Sequence, residues 1–466
     1  MRKLDLSTLK ISLSGVRGII GDTLTPTVIS DFGSAFGTYL NSLANQDNTN
    51  KAVAIGMDTR VSGEMVKHTI ISSLIATGNT VLDLGIVPTP STILAVREKN
   101  LAGGIVITAS HNPMEWNGLK FISPEGRFLD SHEWNQVFNI YNNKSFNYKH
   151  FNEIGTLCST NDANDMHINK VLNLIDTDKI KHKKLKVAYD PVNGAGSIII
   201  QSLLERLGCD IYSINTDTKR GFCRSPEPLA ENIKDLEKLV LENNCDIGFA
   251  LDPDADRLAI VSDKAKAIGE EYTLVLALDQ YLKLKKSDIV VNISTSRMID
   301  DIAKKYAVNV MRTPVGEINV VKKMMDNNCD IGGEGNGGVI IPEINRCRDS
   351  LVAIVMVLKA ITDENVKISE YIKRFNEYYF YKSKMEIGSI DPNIIYSRLK
   401  AHISKQINIK HSISLIDGMK IDYDDYWIQI RESNTEPIIR IFVEAKSEQL
   451  AKSKVDEFKN LCYSMM

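Results

Sequence analysis

No stretch of this chain is apolar over the ~20 residues needed to cross a bilayer. The strongest run, Leu351 to Ile361, is far shorter and carries Lys359, which predicts a buried helix instead. Cysteine is sparse and unpatterned: seven residues, an odd number, scattered and never in a CxxC pair. That argues against a disulfide framework and against a zinc site, and the burial habit of free thiols makes most of them structural. An excess of one charge is missing too, with 56 Lys and Arg against 59 Asp and Glu and a net charge of −3. General attraction to nucleic acid or to anionic lipid is therefore not expected, and an anionic ligand must be held by local cations. Met1 to Ser14 has basic residues but no continuous apolar segment, so it does not read as a secretory leader and the expected location is cytoplasmic. The Asn292-Ile293-Ser294 sequon then has no meaning.

Hydrophobic residues at 43% and charged residues at 25% lie near the averages of water-soluble globular chains. With 466 residues, one domain per ~100–200 residues predicts three or four domains. From Lys51 onward, β-branched runs alternate with helical patterns: Ala52–Met57, Ser62–Ala76, Val81–Leu84, a segment around Ser91–Lys99, and Gly104–Thr108. This is a βαβ rhythm. It restarts at Leu185–Asp190, with a helix through Leu207 and a strand at Cys209–Ile214, and again at Asp288–Ile293, with a helix near Met298–Tyr306 and a strand at Val308–Met311. An internal repeat links the later units, since Asn243-Asn244-Cys245-Asp246-Ile247-Gly248 matches Asn327-Asn328-Cys329-Asp330-Ile331-Gly332. The tail changes character, with alternating strands at Met419–Tyr423, Trp427–Arg431 and Ile438–Glu444 and a final helix from Glu448 to about Leu461, which reads as a smaller α+β domain. Polar, weakly periodic linkers are expected near Glu153–Asn164 and Asp363–Ser369.

Chemistry-bearing segments sit where strands end, as expected for ligand sites in open α/β sheets. Thr108-Ala109-Ser110-His111-Asn112-Pro113 follows an apolar strand and can present Ser110 to a cleft, although the same letters also make a good turn. Lys120, in Asn117-Gly118-Leu119-Lys120, adds a cation at the start of another strand or is a solvated lysine. Asp252, Asp254 and Asp256 alternate, so an extended loop would project all three carboxylates to one side. Their mutual repulsion calls for a cation, and oxygen ligands favour Mg²⁺ or Ca²⁺ over zinc. The segment lacks the glycine and the final glutamate of an EF-hand. Arg431 to Arg440 combines two guanidinium groups with Ser433, Asn434 and Thr435 between two strands, which suits a phosphate dianion. Ser14 to Gly18 reads as a turn carrying Arg17, and Gly332 to Gly338 lets backbone approach a ligand, with Glu334 and Asn336 able to bond hydroxyls or an amino group. Asn193-Gly194-Ala195-Gly196 lacks the rest of a dinucleotide fingerprint.

In this order, Ser-Gly-Val-Arg-Gly at 14–18, Thr-Ala-Ser-His-Asn-Pro at 108–113, Asp-Pro-Asp-Ala-Asp-Arg at 252–257, Gly-Glu-Gly-Asn-Gly-Gly at 333–338 and Arg-Glu-Ser-Asn-Thr-Glu-Pro at 431–437 resemble the α-D-phosphohexomutase family over nearly the whole chain. The resemblance implies a four-domain α/β architecture around a central cleft: three similar mixed α/β domains (1–154 with the phosphoserine loop, 155–256 with the metal loop, 257–368 with the sugar loop) and a smaller C-terminal α+β phosphate-binding domain (369–466). It implies that Ser110 is the phosphoserine, and that Asp252, Asp254, Asp256 and a phosphoserine oxygen hold one Mg²⁺ per chain. Arg17 and Lys120 become candidates for proton transfer or charge stabilisation, with His111 beside the serine. Glu334 and Asn336 would contact the sugar, and Arg431, Ser433, Asn434, Thr435 and Arg440 the non-transferred phosphate. The implied reaction passes through a hexose (or hexosamine) 1,6-bisphosphate, which also primes the enzyme. The implied partner is a small sugar phosphate, without nucleic acid or membrane, for a monomer or homodimer.

Where many glucose- and mannose-type members carry Ser-Gly-His, this chain has Asn336-Gly337-Gly338, so no histidine can act there. With Val-Ile-Ile-Pro and Arg348-Asp349 following, the loop looks more like a branch of phosphoglucosamine mutases, with archaeal-type phosphomannomutase/phosphoglucomutases also similar. Rival readings are a sugar-phosphate phosphatase and a non-catalytic sugar-phosphate sensor. Binding alone would need neither Ser110 nor the metal-binding carboxylates.

Overall fold

The computed structural model describes residues 8–43, 51–388, 391–404, 410–432 and 438–465. It divides into two compact units, one formed by residues 1–285 with 330–372 and the other by 286–329 with 373–466.

In the first unit, apolar strands Ala52–Met57 and Gly103–Ile107 lie at the centre of a seven-stranded sheet. Their runs are buried because helices cover both faces. Strand Trp116–Ile122 pairs antiparallel with Gly103–Ile107 and, on its other side, with Gly15–Ile19. Ser14–Gly18, expected as a turn, is thus largely strand, and Lys120 lies inside a strand rather than at its start. The expected linker at 153–164 contains the edge strand Leu157–Ser159, parallel to Thr80–Ile86, because its backbone completes the sheet. Phe32, Phe36, Phe121 and Trp134 pack with each other between sheet and helices. A second sheet in the same unit, with strands in the order Leu258–Ser262, Ile247–Leu251, Lys186–Asp190, Asp210–Ser213, carries the 252–257 segment between its first two members.

Both copies of the repeated hexapeptide convert a helix into a hairpin. Helix Lys234–Asn243 ends with Asn244 in the left-handed region, and Ile247–Leu251 then turns back antiparallel into Leu258–Ser262. Asn328 is also left-handed after helix Glu317–Asp326, and Ile331–Glu334 turns back into Gly338–Ile340. Asparagine tolerates that conformation at helix ends. The apolar run at 351–361 is a buried helix, Ser350–Glu364, capped by the Asp349 carboxylate. This helix continues through the first two residues of the expected 363–369 linker, and a short helix Ile368–Tyr371 follows. No helix among the described residues is long and apolar enough to cross a membrane.

In the second unit, Ile289–Asn292 and Val310–Thr313 form a parallel pair. The tail is a five-stranded antiparallel sheet in the order Tyr379–Glu386, Ile438–Ala445, Tyr426–Glu432, Met419–Tyr423, His411–Ser414. Its alternating apolar positions, Ile428, Ile430, Ile439, Ile441 and Val443, pack in one core with Leu399 and Phe458 of helices Pro392–Ile403 and Glu448–Ser464. Of the seven free cysteines, Cys245, Cys329, Cys347 and Cys462 are buried.

Candidate active site

Four of the segments marked by sequence converge in the first unit. Ser110 is 2% exposed and sits just beyond strand Gly103–Ile107 with φ +52°, a left-handed conformation that costs a non-glycine residue about 1–2 kcal/mol. Its Oγ donates to Asp252 Oδ2 at 3.5 Å and lies 3.3 Å from His111 Nδ1.

The three aspartates are fully buried and their oxygens cluster within 4.8 Å. They do not converge by extended alternation, as their spacing suggested. Ala255 adopts φ +53° and the segment is a tight turn, braced by Ser350 Oγ on Ala255 O (2.7 Å) and Ala195 N–H on Pro253 O (2.8 Å). Asp254 and Asp256 each have one oxygen tied down and one left over, whereas both oxygens of Asp252 are engaged. Asp252 Oδ1 accepts from the Asp256 and Arg257 amides, both at 3.1 Å. Asp254 Oδ2 accepts from Thr89 Oγ1 at 2.6 Å and Lys120 Nζ at 2.7 Å. Asp256 Oδ2 accepts from Arg348 Nη2 at 2.6 Å. Asp254 Oδ1 and Asp256 Oδ1 are buried with no hydrogen-bond partner. Orphaned buried carboxylate oxygens are costly, and an all-oxygen set beside Ser110 fits a hard divalent cation such as Mg²⁺.

The electrostatics follow from crowding. Burial, with Asp256 and Asp254 alongside, raises Asp252 well above the usual carboxylate range. Burial would raise Asp256 as well, but Arg348, Lys120 and Arg257 outweigh it and hold that carboxyl low. Burial would also lower Lys120, but Asp254 and Asp256 reverse this and raise it. His111 is pushed down to about 2 by burial and by the nearby Arg257 and Arg17 cations, so it is a neutral imidazole. Arg17 lies opposite Gly118 across the strand pair, which places it on the same sheet face as Lys120, two residues on.

Glu334 is 3% exposed and paired with Arg348 Nη1 at 2.9 Å, so Arg348 bridges the 332–338 and 252–256 segments. Asn336 Oδ1 is buried and without a partner. The loop's glycines have local reasons: Gly337 has φ +86°, and a Cβ on Gly338 would lie 2.2 Å from Arg348 Cδ.

In the second unit, Arg431 and Arg440 are direct cross-strand partners, and Lys384 is the next partner of Arg440, giving a row of three cations across three strands. Arg431 Nε lies 3.2 Å from Asp417 Oδ1. Ser433, Asn434 and Thr435 lie outside the described residues.

Sequence reasoning missed Thr89, which has no signature of its own, and the role of Arg348 as a bridge. It also passed over Asp58 and Arg60, although two charged residues directly after the apolar strand Ala52–Met57 were a usable signal.

The phosphoglucomutase/phosphomannomutase family matches this chain as four consecutive domains: α/β/α domain I over residues 9–148, α/β/α domain II over 165–266, α/β/α domain III over 269–378 and the C-terminal domain over 395–461. A phosphoglucomutase/phosphomannomutase of Thermococcus kodakarensis is 38% identical over 95% of this chain and 96% of its own. A probable phosphoglucosamine mutase of Methanopyrus kandleri is 31% identical over 96% of each chain. A crystal structure of a phosphoglucomutase/phosphomannomutase family protein from Burkholderia thailandensis superimposes with a TM-score of 0.84, covering 99% of this chain and 97% of that one at 22% identity. This chain therefore belongs to the phosphoglucomutase/phosphomannomutase family and is a phosphohexomutase, an isomerase.

Proposed function

We propose that this phosphohexomutase interconverts glucosamine 6-phosphate and glucosamine 1-phosphate, with Ser110 as the phosphoryl carrier. The observation that carries the reading is the buried Ser110 hydroxyl, held against Asp252 beside two orphaned carboxylate oxygens and the Lys120 ammonium. Asp252 Oδ2, Asp254 Oδ1 and Asp256 Oδ1 would hold Mg²⁺ together with a phosphoserine oxygen. The ion supplies neutralisation of phosphoryl charge during transfer.

In the forward direction the P–O bond to Ser110 Oγ breaks as a bond forms from phosphorus to the free sugar hydroxyl. The hydroxyl proton passes to a base, for which Arg17, lowered by burial, is the candidate, and a proton goes to the departing Ser110 Oγ. Lys120, which burial would lower but Asp254 and Asp256 raise, stays an ammonium and is not the base. The 1,6-bisphosphate turns over, the phosphoryl at its other end returns to Ser110, and the proton goes back to the oxygen left behind. Lys120 and Arg17 also neutralise charge, and the neutral His111 imidazole serves as a hydrogen-bond partner of Ser110. Glu334 and Asn336 bind the sugar. Arg431, Arg440, Ser433, Asn434 and Thr435 grip the phosphate that is not being transferred, supported by the cationic row in that sheet. A hexosamine 1,6-bisphosphate primes Ser110. Domains at 1–154, 155–256, 257–368 and 369–466, a cytoplasmic location, and a monomer or homodimer belong to the same reading.

Glucosamine is favoured by the histidine-free Asn336 loop and by relatives from Methanopyrus kandleri, Pyrococcus horikoshii and Pyrococcus abyssi, each named a probable phosphoglucosamine mutase. The Thermococcus relative favours a second reading, phosphomannomutase/phosphoglucomutase activity. ³¹P NMR with Mg²⁺ separates them, using glucosamine, mannose and glucose 6-phosphates in parallel with a trace of each 1,6-bisphosphate. Preferential formation of glucosamine 1-phosphate, lost in Ser110→Ala, is expected. Preference for mannose or glucose would overturn the sugar, turnover by Ser110→Ala would overturn the carrier, and inorganic phosphate without isomer would make the protein a phosphatase.

A further inference from the structure

The Arg60 guanidinium, buried at 3% exposure, spends its whole donor set on one loop and one carboxylate. Nε donates to Asp58 Oδ2 at 3.1 Å. Nη1 donates to Pro113 O at 2.5 Å and Trp116 O at 2.8 Å, and Nη2 to Ser110 O at 2.8 Å and Asn112 O at 2.7 Å. An arginine side chain has five N–H donors, so none is left for a ligand. Asp58 Oδ2 also accepts from Thr108 Oγ1 at 2.7 Å, and Thr108 Oγ1 in turn accepts from the Ser110 amide at 2.8 Å. The peptide groups on both sides of Ser110 Cα are therefore anchored to a single buried ion pair, Asp58–Arg60, at the residue whose backbone is left-handed.

We propose that Arg60 is a positioning residue for phosphoryl transfer: it holds the Ser110 loop in its left-handed conformation, so that Oγ meets the phosphoryl group in line. The idea rests on the assignment of Ser110 as the carrier. A serine that must give and regain a phosphoryl group at two ends of one sugar needs its Oγ fixed, since ~1 Å of displacement can cost about 10²-fold in rate. A lysine offers three donors from one point and cannot reach four carbonyls and a carboxylate together.

The test compares wild type, Arg60→Lys, Arg60→Ala and Ser110→Ala by steady-state kinetics with sugar phosphate and the bisphosphate primer. Circular dichroism and phosphoserine content by intact mass are recorded alongside. Expected is a fall in kcat of about 10²-fold in both Arg60 variants with KM changed by less than about two-fold. Guanidinium ion at millimolar levels should restore kcat of Arg60→Ala about ten-fold or more, while urea at the same concentration does not. A folded Arg60→Ala with kcat near wild type, a loss that lies wholly in KM, or no recovery with guanidinium would overturn the proposal. Activity in Ser110→Ala would instead overturn the carrier assignment, so the two failures are distinguishable.

Discussion

Thr89→Val removes one oxygen from the layer behind the Asp252–Asp254–Asp256 cluster proposed to hold Mg²⁺ and leaves shape nearly unchanged. Thr89 is buried, its Oγ1 donates to Asp254 Oδ2 at 2.6 Å, and its amide bond to Asp254 O at 3.0 Å would survive the change. Asp254 Oδ2 would keep only Lys120 Nζ, at 2.7 Å, so the carboxylate could rotate and its Oδ1 would no longer be held in the cluster. A hydrogen bond to a charged acceptor contributes roughly 1.5–3 kcal/mol. Loss of a group that orients a metal ligand weakens metal binding by about 10- to 100-fold, or ~1.4–2.8 kcal/mol. The expected outcome is therefore an Mg²⁺ Kd raised by about ten-fold or more in calorimetric titration, with Thr89→Ser close to wild type. An Mg²⁺ affinity for Thr89→Val within about two-fold of wild type would refute the reasoning that the hydroxyl sets the ligand geometry.

Arg440→Ala breaks the cationic row with Arg431 and Lys384, so KM for the sugar phosphate should rise by about ten-fold or more with a smaller effect on kcat. Unchanged KM would move the phosphate site elsewhere. Lys420 is pushed from its ordinary 10.5 down to about 7, by burial first and Arg312 second, beside Trp427 and the Ile293 carbonyl. Because the folded state releases this proton before the unfolded state does, the unfolded state binds more protons between pH 7 and 10.5, and stability contributed by this site rises across that window. Lys420→Met should thus stabilise the protein most below pH 7, by about 2–4 kcal/mol after loss of the Nζ hydrogen bond, with the gain shrinking toward pH 10. Thermal melts of both proteins across that range check this, and a gain independent of pH would refute it.

Strand and helix alternation, the buried run at 351–361 and the α+β tail were legible in the sequence because each is a local period of apolar residues. The aspartates and Ser110 were legible because unusual polar groups follow apolar strands. Geometry at those residues was not. Spacing suggested an extended Asp252–Asp256 segment, yet Ala255 turns left-handed, with Ser350 holding its carbonyl and Ala195 that of Pro253. Strand Gly15–Ile19 read as a turn because two of its five residues are glycine, and pairing with Lys10–Ser12 on one side and Trp116–Ile122 on the other makes it a strand.

Amino-acid order sets which groups exist and where along the chain they fall: a serine after one strand, three carboxylates after another, arginines near the end. Tertiary structure alone decided which oxygen of Asp254 and of Asp256 is tied down and which is left over. It also decided that Thr89, far along the chain from Asp254, completes that selection, and that Arg60 grips the Ser110 loop. Hydrogen bonds between residues so far apart in the chain depend on sheet register and loop path, which no local pattern of residues encodes.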